Sequence, residues 1–342
     1  MFRLLLCCVI LCSSALAFNH GQQAQQDFEN YKVAFEKNYA TTAEENAARY
    51  FYNYHMNLVR QHNALADRNG TSYHVGENIF SDIRLRTFAA RLPQAIYPTG
   101  SNAKEPLPTG DVVPPTFNLT EEFELTVNAA DQGTVCSSSW AYSVAKAVQI
   151  MNAAQLLEPM PEELSAQSLI DCAGMGTGCS TQVPQTALDY LTVVQDTTLL
   201  PASEYANNNT LSAQGMCRPS SGAAAVVGAI KLDNYARIEG GDDEAVKRFV
   251  SSGFPVIVEY NPASFGFMHY RSGVYVPPNK LRAASSQFLV VLGFGHDTAS
   301  NLDYWLCLNS FGRRWGENGY IKIVRDDAHP IGKRAVFPNS LG

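Results

Sequence analysis

A clear hydrophobic period follows a serine-rich turn near the middle of the chain. Apolar side chains recur there at helical spacing, at Trp140, Val144, Ala147, Val148 and Met151. This spacing predicts a helix with one buried face. Gly133 provides backbone freedom for the turn, and the serines after it offer N-cap hydroxyls. We therefore expect Ser139 at or near a helix N-terminus, where amide donors and the positive dipole end favour an anion.

Other apolar patterns predict helices early in the chain and strands late in it. Residues 25 to about 65 favour two helices, and Phe28, Tyr31 and Phe35 mark the first. The apolar runs 249–250, 254–258 and 288–293 predict strands. The stretch from Pro93 to Pro115 is rich in proline, glycine and small polar residues, so we expect a linker there.

The N-terminus has the pattern of a secretory signal. Arg3 precedes an apolar run, and Ala15-Leu16-Ala17 forms a small-x-small exit. This pattern predicts a signal peptide over residues 1–17. No second apolar run approaches about 18 residues, so we expect no membrane span. The expected location is secreted (extracellular) or the lysosomal lumen.

Composition narrows the function classes without naming one. Roughly 325 residues follow the predicted signal, which is enough for two domains plus an extension. The net charge of −7 argues against nucleic acid and anionic membranes as partners. No Cys/His spacing suggests zinc, and we expect neither metal nor cofactor. The sequons at Asn69, Asn118 and Asn208 are candidate glycosylation sites in a secreted chain.

The segment around Ser139 resembles the active-site signature of papain-like cysteine peptidases. Residues 131–143 are Asp-Gln-Gly-Thr-Val-Cys-Ser-Ser-Ser-Trp-Ala-Tyr-Ser, and the family has cysteine immediately before the tryptophan. Ser139 occupies that position here. Gln132 corresponds to the family's oxyanion-stabilising glutamine, with one residue more between it and Cys136.

Further motifs extend the resemblance over most of the chain. Residues 76–82, Gly-Glu-Asn-Ile-Phe-Ser-Asp, resemble the Gly-x-Asn-x-Phe-x-Asp segment of the family's inhibitory propeptide. Residues 164–172 resemble its Leu-Ser-Glu-Gln-x-Leu-Val-Asp-Cys helix. Residues 309–320 resemble its Asn-Ser-Trp-Gly and Trp-Gly-Glu-Asn-Gly-Tyr segment, with Phe311 in place of tryptophan.

The resemblance implies an α+β, papain-like two-domain fold behind a helical propeptide. We expect a propeptide and linker over residues 18–110 and a peptidase-like domain over 111–342. A helical half and an antiparallel β-barrel half would face each other across a cleft. In the family, the propeptide lies along this cleft in reverse orientation and blocks it.

The resemblance also implies that the family's catalytic groups are changed. Counting back from Gly293 puts Gln287 where the family has its histidine, and a carboxamide cannot take a proton near neutral pH. Asn309 is retained, but without a histidine we expect it to have nothing to orient. Of the nearby histidines, His269 and His296, neither matches the pattern.

The substrate ledge after Cys179 differs as well. Ser180-Thr181-Gln182 replaces the family's Asn-Gly-Gly, and added Cβ atoms would crowd a bound peptide strand. Together with Phe311, we take Thr181 and Gln182 as candidate substrate-binding positions.

Five cysteines remain after the predicted signal peptide, and spacing alone leaves their connectivity open. The resemblance implies two pairs, Cys136 with Cys179 and Cys172 with Cys217. Cys307 is left over within an apolar run, so we expect a buried free thiol.

Three hypotheses follow. The leading one is a catalytically inactive papain-fold protein, monomeric, that binds a peptide or protein ligand in its cleft. The second is an atypical hydrolase or endopeptidase that uses Ser139 as its nucleophile. The third is that the propeptide region inhibits cathepsin-like peptidases, which would then be its partners.

Overall fold

A computed structural model describes most of the chain beyond the predicted signal peptide. The described residues are 22–68, 70–100, 102–104, 112–159, 161–175, 177–180, 182–194, 197–207, 216–218, 226–238, 241–281 and 283–342. The predicted signal peptide, two of the sequons (Asn69 and Asn208) and the ledge position Thr181 lie outside them. No helix among the described residues is long and apolar enough to cross a membrane.

The N-terminal region folds as the two predicted helices followed by short elements. Its elements are α1 over residues 22–34, α2 over Thr42–Ala66, β1 over Tyr73–Val75 and α3 over Leu85–Ala90. The Thr41 side chain accepts a hydrogen bond from the Glu44 amide and caps α2. Phe28 and Tyr31 of α1 pack against Tyr52 of α2 in a separate aromatic core.

The next part of the chain is mainly helical. Its helices are α4 over Leu119–Glu122, α5 over Ser139–Leu156, α6 over Ala166–Cys172 and α7 over Pro184–Val193. Helix α5 is buried on almost every side, more completely than the one-faced pattern predicted. Disulfides Cys136–Cys179 and Cys172–Cys217 are both present, and each closes a loop across this half.

The C-terminal part is mainly β. The strands are β2 over Phe117–Asn118, β3 over Leu232–Ile238, β4 over Val256–Tyr260, β5 over Tyr270–Tyr275, β6 over Gln287–Asp297, β7 over Leu302–Leu308, β8 over Tyr320–Val324 and β9 over Ala335–Leu341. Within the described residues the order is β1-β5-β8-β7-β6-β4-β9-β3, with β2 beside β6. The expectation of an antiparallel sheet holds except for β5 and β8, which are parallel.

One predicted strand is wrong. Phe249 and Val250 lie in helix α8, Asp243–Ser251, and only the later part of that apolar pattern forms a strand. Asp242 caps α8 by accepting from the Ala245 amide, and Ala245 and Val246 place the apolar pair on a helical face. Two short helical turns complete the half: α9 over Phe265–Met268 and a 3₁₀ helix over Gly332–Arg334.

The N-terminal region is bound to the β half by backbone pairing. Strand β1 extends the sheet by pairing with β5. Farther on, Pro93 forms a bridge with Ser285, and Lys104 forms one with Ala236 of β3. This path carries the chain over the junction between the helical and β halves, where β6 packs against α5.

Candidate functional site

Ser139 lies at the junction of the two halves. It is the first residue of α5 and is 2% exposed. Its Oγ accepts a hydrogen bond from the backbone amide of Phe288 at 3.2 Å. Ser138 occupies the N-cap without a side-chain cap bond. The bond from Phe288 places this helix start, which the sequence predicted at or near Ser139, beside β6.

Gln287 begins β6 and is fully buried. Its Nε2 donates to Asn309 Oδ1 at 2.7 Å and to Gln132 Oε1 at 2.9 Å, and Ser310 Oγ lies 3.2 Å away. The expectation that Asn309 has nothing to orient is therefore wrong. A carboxamide N–H can donate to the asparagine oxygen much as an imidazole N–H does, although it cannot act as a base.

Gln132 is drawn into the same network. Its Oε1 also accepts from Ser310 Oγ at 2.6 Å, and its backbone amide donates to the Ser310 carbonyl at 2.8 Å. The Ser310 amide in turn donates to Asn309 Oδ1 at 2.8 Å. Four polar side chains, all buried, thus form one hydrogen-bonded array across the junction, in which Gln287 Oε1 and Asn309 Nδ2 have no partner. We call these residues, Gln132, Gln287, Asn309 and Ser310, the amide cluster.

Neither histidine near the site in sequence is bonded to Ser139. His296 lies nine residues along β6 from Gln287, roughly 30 Å at about 3.3 Å per residue. Its Nδ1 pairs with Asp303 at 2.8 Å. The Nδ1 of His269 pairs with the Gly76 carbonyl at 3.0 Å, and its buried Nε2 has no hydrogen-bond partner.

The described ledge residue is held within the helical half. Gln182 Nε2 donates to Thr177 Oγ1 at 2.8 Å, and Thr186 Oγ1 donates to Gln182 Oε1 at 3.2 Å. Phe311, the other candidate substrate-binding position, is 3% exposed. Its ring lies 4.9 Å from that of Phe80 and 6.0 Å from that of Phe88, both in the N-terminal region.

The N-terminal region covers the strand start next to Gln287. Ser285 Oγ donates to the Ala89 carbonyl at 2.9 Å. The Ser286 amide donates to the Leu92 carbonyl at 3.2 Å, and its Oγ accepts from the Ala95 amide at 2.9 Å. Through these bonds and the aromatic contacts of Phe311, the N-terminal region covers the wall of the cleft that the β half provides.

The Gly76–Asp82 segment anchors this arrangement. Asn78 Nδ2 donates to the Met268 carbonyl at 2.7 Å. The buried Asp82 carboxylate accepts from Tyr31 at 2.9 Å, Lys37 at 3.0 Å and Tyr39 at 2.8 Å. Asp82 thereby ties the segment to α1 and its following turn, since charge-assisted bonds of this kind are strong.

A buried histidine pair that sequence reasoning missed lies at the same interface. His55 of α2 and His269 of the β half are 3% and 0% exposed, and their ring centroids are 4.8 Å apart. His55 Nδ1 pairs with the Ser81 carbonyl at 2.9 Å. Burial lowers the pKa of His55, and burial and the neighbouring His55 lower the pKa of His269 to about 3.

Comparison with known families identifies both parts of the chain. Residues 113–338 match the model described as papain family cysteine protease. The chain belongs to the papain family. Residues 28–87 match the cathepsin propeptide inhibitor domain, so the N-terminal region is a cathepsin-type propeptide.

Relatives of known name agree with this papain-family assignment. Cathepsin L of Sarcophaga peregrina is 27% identical over 90% of this chain and 90% of its own. Cathepsin S of Bos taurus is 25% identical over 95% of each chain. Digestive procathepsin L2 of Tenebrio molitor superposes with a TM-score of 0.80 at 25% identity, covering 93% of this chain and 100% of the other. The predicted papain-like fold with propeptide is thus confirmed.

The structure also locates the remaining predicted positions, the sequon Asn118 and the unpaired cysteine Cys307. Asn118 is half-buried and caps α4, its Oδ1 accepting from the Thr120 amide at 3.1 Å. Its glycosylation stays a prediction. Cys307 is a buried free thiol whose pKa is raised by burial. Within the described part of the chain, no three His, Cys, Asp or Glu side chains are grouped as a metal site would require.

Proposed function

We propose that this papain-family protein is not a peptidase but binds a peptide or protein segment in the cleft now occupied by its propeptide. The observation that carries the proposal is the amide cluster. Where the family signature calls for a base, Gln287 offers a carboxamide that donates at 2.7 Å to Asn309. A serine hydroxyl needs a positioned general base to become a nucleophile.

The magnitude of the expected loss is large. Losing members of a catalytic triad costs on the order of a millionfold in rate, and oxyanion stabilisation alone leaves only weak activity. Gln132, at the family's oxyanion-stabilising position, is held in the cluster through its Oε1, which accepts from Gln287 and Ser310. The fold that surrounds the cluster is nevertheless retained, which favours a binding role over loss of all function.

The ligand class follows from what covers the cleft now. The propeptide is held there by hydrogen bonds that its backbone carbonyls accept from the Ser285 hydroxyl and the Ser286 amide, and by aromatic contacts with Phe311. An extended peptide with aromatic side chains could make the same two kinds of contact once the propeptide leaves. Secretion or delivery to the lysosomal lumen, a monomeric state, and the absence of nucleic-acid and membrane partners belong to the same proposal.

The experiment tests turnover and binding on the same protein. After cleavage in the linker, fluorogenic peptide and ester substrates are assayed from pH 4 to 8, with Ser139→Ala as the matched control. We expect no turnover in either protein, and peptide binding that is blocked by added propeptide. Turnover that disappears in Ser139→Ala would establish the atypical hydrolase instead and overturn the proposal.

The double variant Ser139→Cys/Gln287→His asks whether the cleft remains usable. Activity in this variant would mean an intact cleft that lacks only its reactive groups. If the double variant has no hydrolytic activity and the natural protein binds no peptide, the cleft itself is closed and the proposed binding role is wrong.

A second candidate function concerns the propeptide alone. Asn78 binds the Met268 carbonyl of the peptidase-like domain, and Asp82 holds the same segment to Tyr31 of α1. These contacts support inhibition of other cathepsin-like peptidases by the free propeptide. Recombinant residues 18–100 would be titrated against a panel of such enzymes. Absence of inhibition across the panel would remove this candidate.

A further inference from the structure

The start of the linker lies along the protein with its side chains alternately exposed and half-buried. Pro93, Ala95 and Tyr97 are half-buried, whereas Gln94 and Ile96 between them are exposed. A period of two is that of an extended chain with one face against a surface. Ile96 is apolar and yet 79% exposed, while Tyr97, which carries a polar hydroxyl, is turned inward. The contacts of Tyr97 therefore involve more than its apolar surface.

The Tyr97 hydroxyl donates a hydrogen bond to a carboxylate of the β half. Its acceptor is Glu259 Oε2 of β4, at 3.1 Å. The other carboxylate oxygen, Oε1, accepts from Ser286 Oγ at 2.5 Å. Ser286 Oγ in turn accepts from the Ala95 amide at 2.9 Å. The two oxygens of Glu259 thus differ, since Oε1 is bound within the β half and Oε2 is directed at the linker.

The face of the Tyr97 ring lies against Arg334. The guanidinium carbon is 3.9 Å from the ring centroid, which is within the range of a cation–π contact. Arg334 Nε is also 3.7 Å from Glu259 Oε2, so the cation and the carboxylate form one pair. Burial and the Glu259 charge both raise the pKa of Tyr97, so its hydroxyl keeps the proton that it donates.

This pair lies beside the amide cluster. In the pairing of β4 with β6, Glu259 is opposite Phe288, which directly follows Gln287. Ser286, which binds Glu259, directly precedes Gln287. A ligand that follows the path of the linker past Gln287 therefore brings one of its side chains to Glu259 and Arg334.

We propose that Glu259 and Arg334 form a tyrosine-selective subsite, and that the ligand of the cleft places a tyrosine there as the linker places Tyr97. The inference rests on the proposed binding function and names the side chain that the ligand carries. A tyrosine ring covers the guanidinium while its hydroxyl donates to Glu259 Oε2. A phenylalanine covers the guanidinium but leaves Oε2 without that donor.

The missing donor sets the size of the discrimination. A site built to bind a hydroxyl rejects a side chain that lacks one, because the polar group of the site is left unpaired. The Glu259 side chain is 21% exposed, so water can partly replace the donor and the effect lies at the low end for a bond to a charged group. We expect tyrosine to bind about tenfold more tightly than phenylalanine.

The first test uses the linker itself. The chain is cut between residues 105 and 111, and the dissociation constant of the propeptide is measured. Tyr97→Phe should weaken docking about tenfold. Tyr50→Phe is the matched control, because Tyr50 of α2 is 66% exposed, and it should dock as the natural propeptide does. Equal docking of Tyr97→Phe and the natural propeptide would overturn the proposal.

Two variants of the β half separate the carboxylate from the cation. Glu259→Gln keeps the shape and an acceptor oxygen but removes the charge. Since neutral hydrogen bonds are about half as strong as charge-assisted ones, the preference for tyrosine over phenylalanine at position 97 should fall from about tenfold to about threefold. Arg334→Gln should weaken both propeptides by a similar factor, because both carry the ring. A preference that Glu259→Gln leaves unchanged would contradict recognition of the hydroxyl by the carboxylate.

The second test uses added peptides on the same linker-cut protein. Peptides of residues 90–100 with tyrosine, phenylalanine or phosphotyrosine at position 97 compete with the propeptide for the cleft. The tyrosine peptide should compete best, the phenylalanine peptide about tenfold less well, and the phosphotyrosine peptide least, because its charge would face Glu259. Equal competition by the tyrosine and phenylalanine peptides would overturn the subsite.

The phosphotyrosine peptide also tests a rival explanation. Arg237 and Lys333 line the space beside Tyr97 together with Arg334. If the phosphotyrosine peptide binds best, these cations recognise an anion and the tyrosine subsite is wrong. If no peptide competes, the cleft-binding function is wrong, while the docking of Tyr97→Phe still decides whether Glu259 recognises the hydroxyl.

Discussion

Acidification should loosen the propeptide, because His269 cannot be protonated while the propeptide is docked. Docking buries its ring completely against His55 of α2, and its Nδ1 pairs with the Gly76 carbonyl. The pKa of His269 is lowered from 6.5 to about 3 in this state. After release, when α2 and Gly76 are gone, the imidazole regains solvent and its ordinary pKa. The released state therefore binds more protons than the docked state between pH 3 and 6.5.

The sign and the size of the effect follow from this difference. Docking is at full strength above pH 6.5 and weakens as the pH falls below it, by about 1.4 kcal/mol per pH unit. At pH 4.5 the loss from His269 alone is about 2.7 kcal/mol, or roughly a hundredfold in the docking equilibrium. His55, whose pKa is also lowered by burial, adds to the loss, and the nearby Asp82 charge partly offsets its share.

The assay compares two single substitutions in a chain that has folded intact. The linker is cut between residues 105 and 111, and dissociation of the propeptide is measured from pH 7.5 to 4.5. His269→Gln stays neutral over this range and can still donate to the Gly76 carbonyl. We expect its pH dependence to be shallower than that of the natural protein by about 1.4 kcal/mol per pH unit.

His296→Gln is the matched control, because His296 is on the same half but its side chain is 43% exposed and does not contact the propeptide. It should reproduce the natural pH dependence. If His269→Gln also reproduces it, protonation of His269 does not govern docking and the reasoning is refuted.

Three further predictions concern stability. Phe311→Ala removes a ring from a cluster that includes propeptide aromatics. It should lower the free energy of unfolding, measured in urea, by about 3–5 kcal/mol and weaken docking of the cut propeptide. Unchanged docking would contradict the contact. Asp82→Ala leaves Lys37 without its buried carboxylate and should destabilise the propeptide by about 3 kcal/mol, measured by proteolysis at residues 22–68; equal protection would count against it. Cys136→Ser opens the disulfide to Cys179 and should lower unfolding free energy by about 2–4 kcal/mol, with a Tm shift in the same direction; no change under non-reducing conditions would show that the bond does not constrain the fold.

The elements that could be predicted from sequence are those whose cause is local. Ser139 begins α5 because a turn, a serine run and a helical apolar period coincide within a few residues. The two early helices followed from the same kind of pattern. The strand prediction at Phe249 and Val250 was wrong because a short apolar pair fits a helix or a strand equally well. The Asp242 cap favours the helix.

The site itself could be predicted only in part, because its contacts join distant positions. Gln287 and Gln132 are 155 residues apart, and no local signal shows that one amide donates to the other. Sequence reasoning treated the loss of histidine as leaving Asn309 idle, whereas a buried amide can satisfy the same acceptor. The pairing of His55 with His269 depends on docking α2 against the β half, which a pattern along the chain does not encode.

The pairing of β1 with β5 has a consequence for the solution behaviour of the protein. β1 lies at one end of the sheet order, so β5 is a covered inner strand only while the propeptide is present. Once the propeptide leaves, β5 presents a row of unpaired amides and carbonyls beside buried residues such as Val274 and Tyr275. A free edge of this kind is a template for strand addition from another molecule. We therefore expect the released protein to stay monomeric when dilute and to associate through β5 only when concentrated.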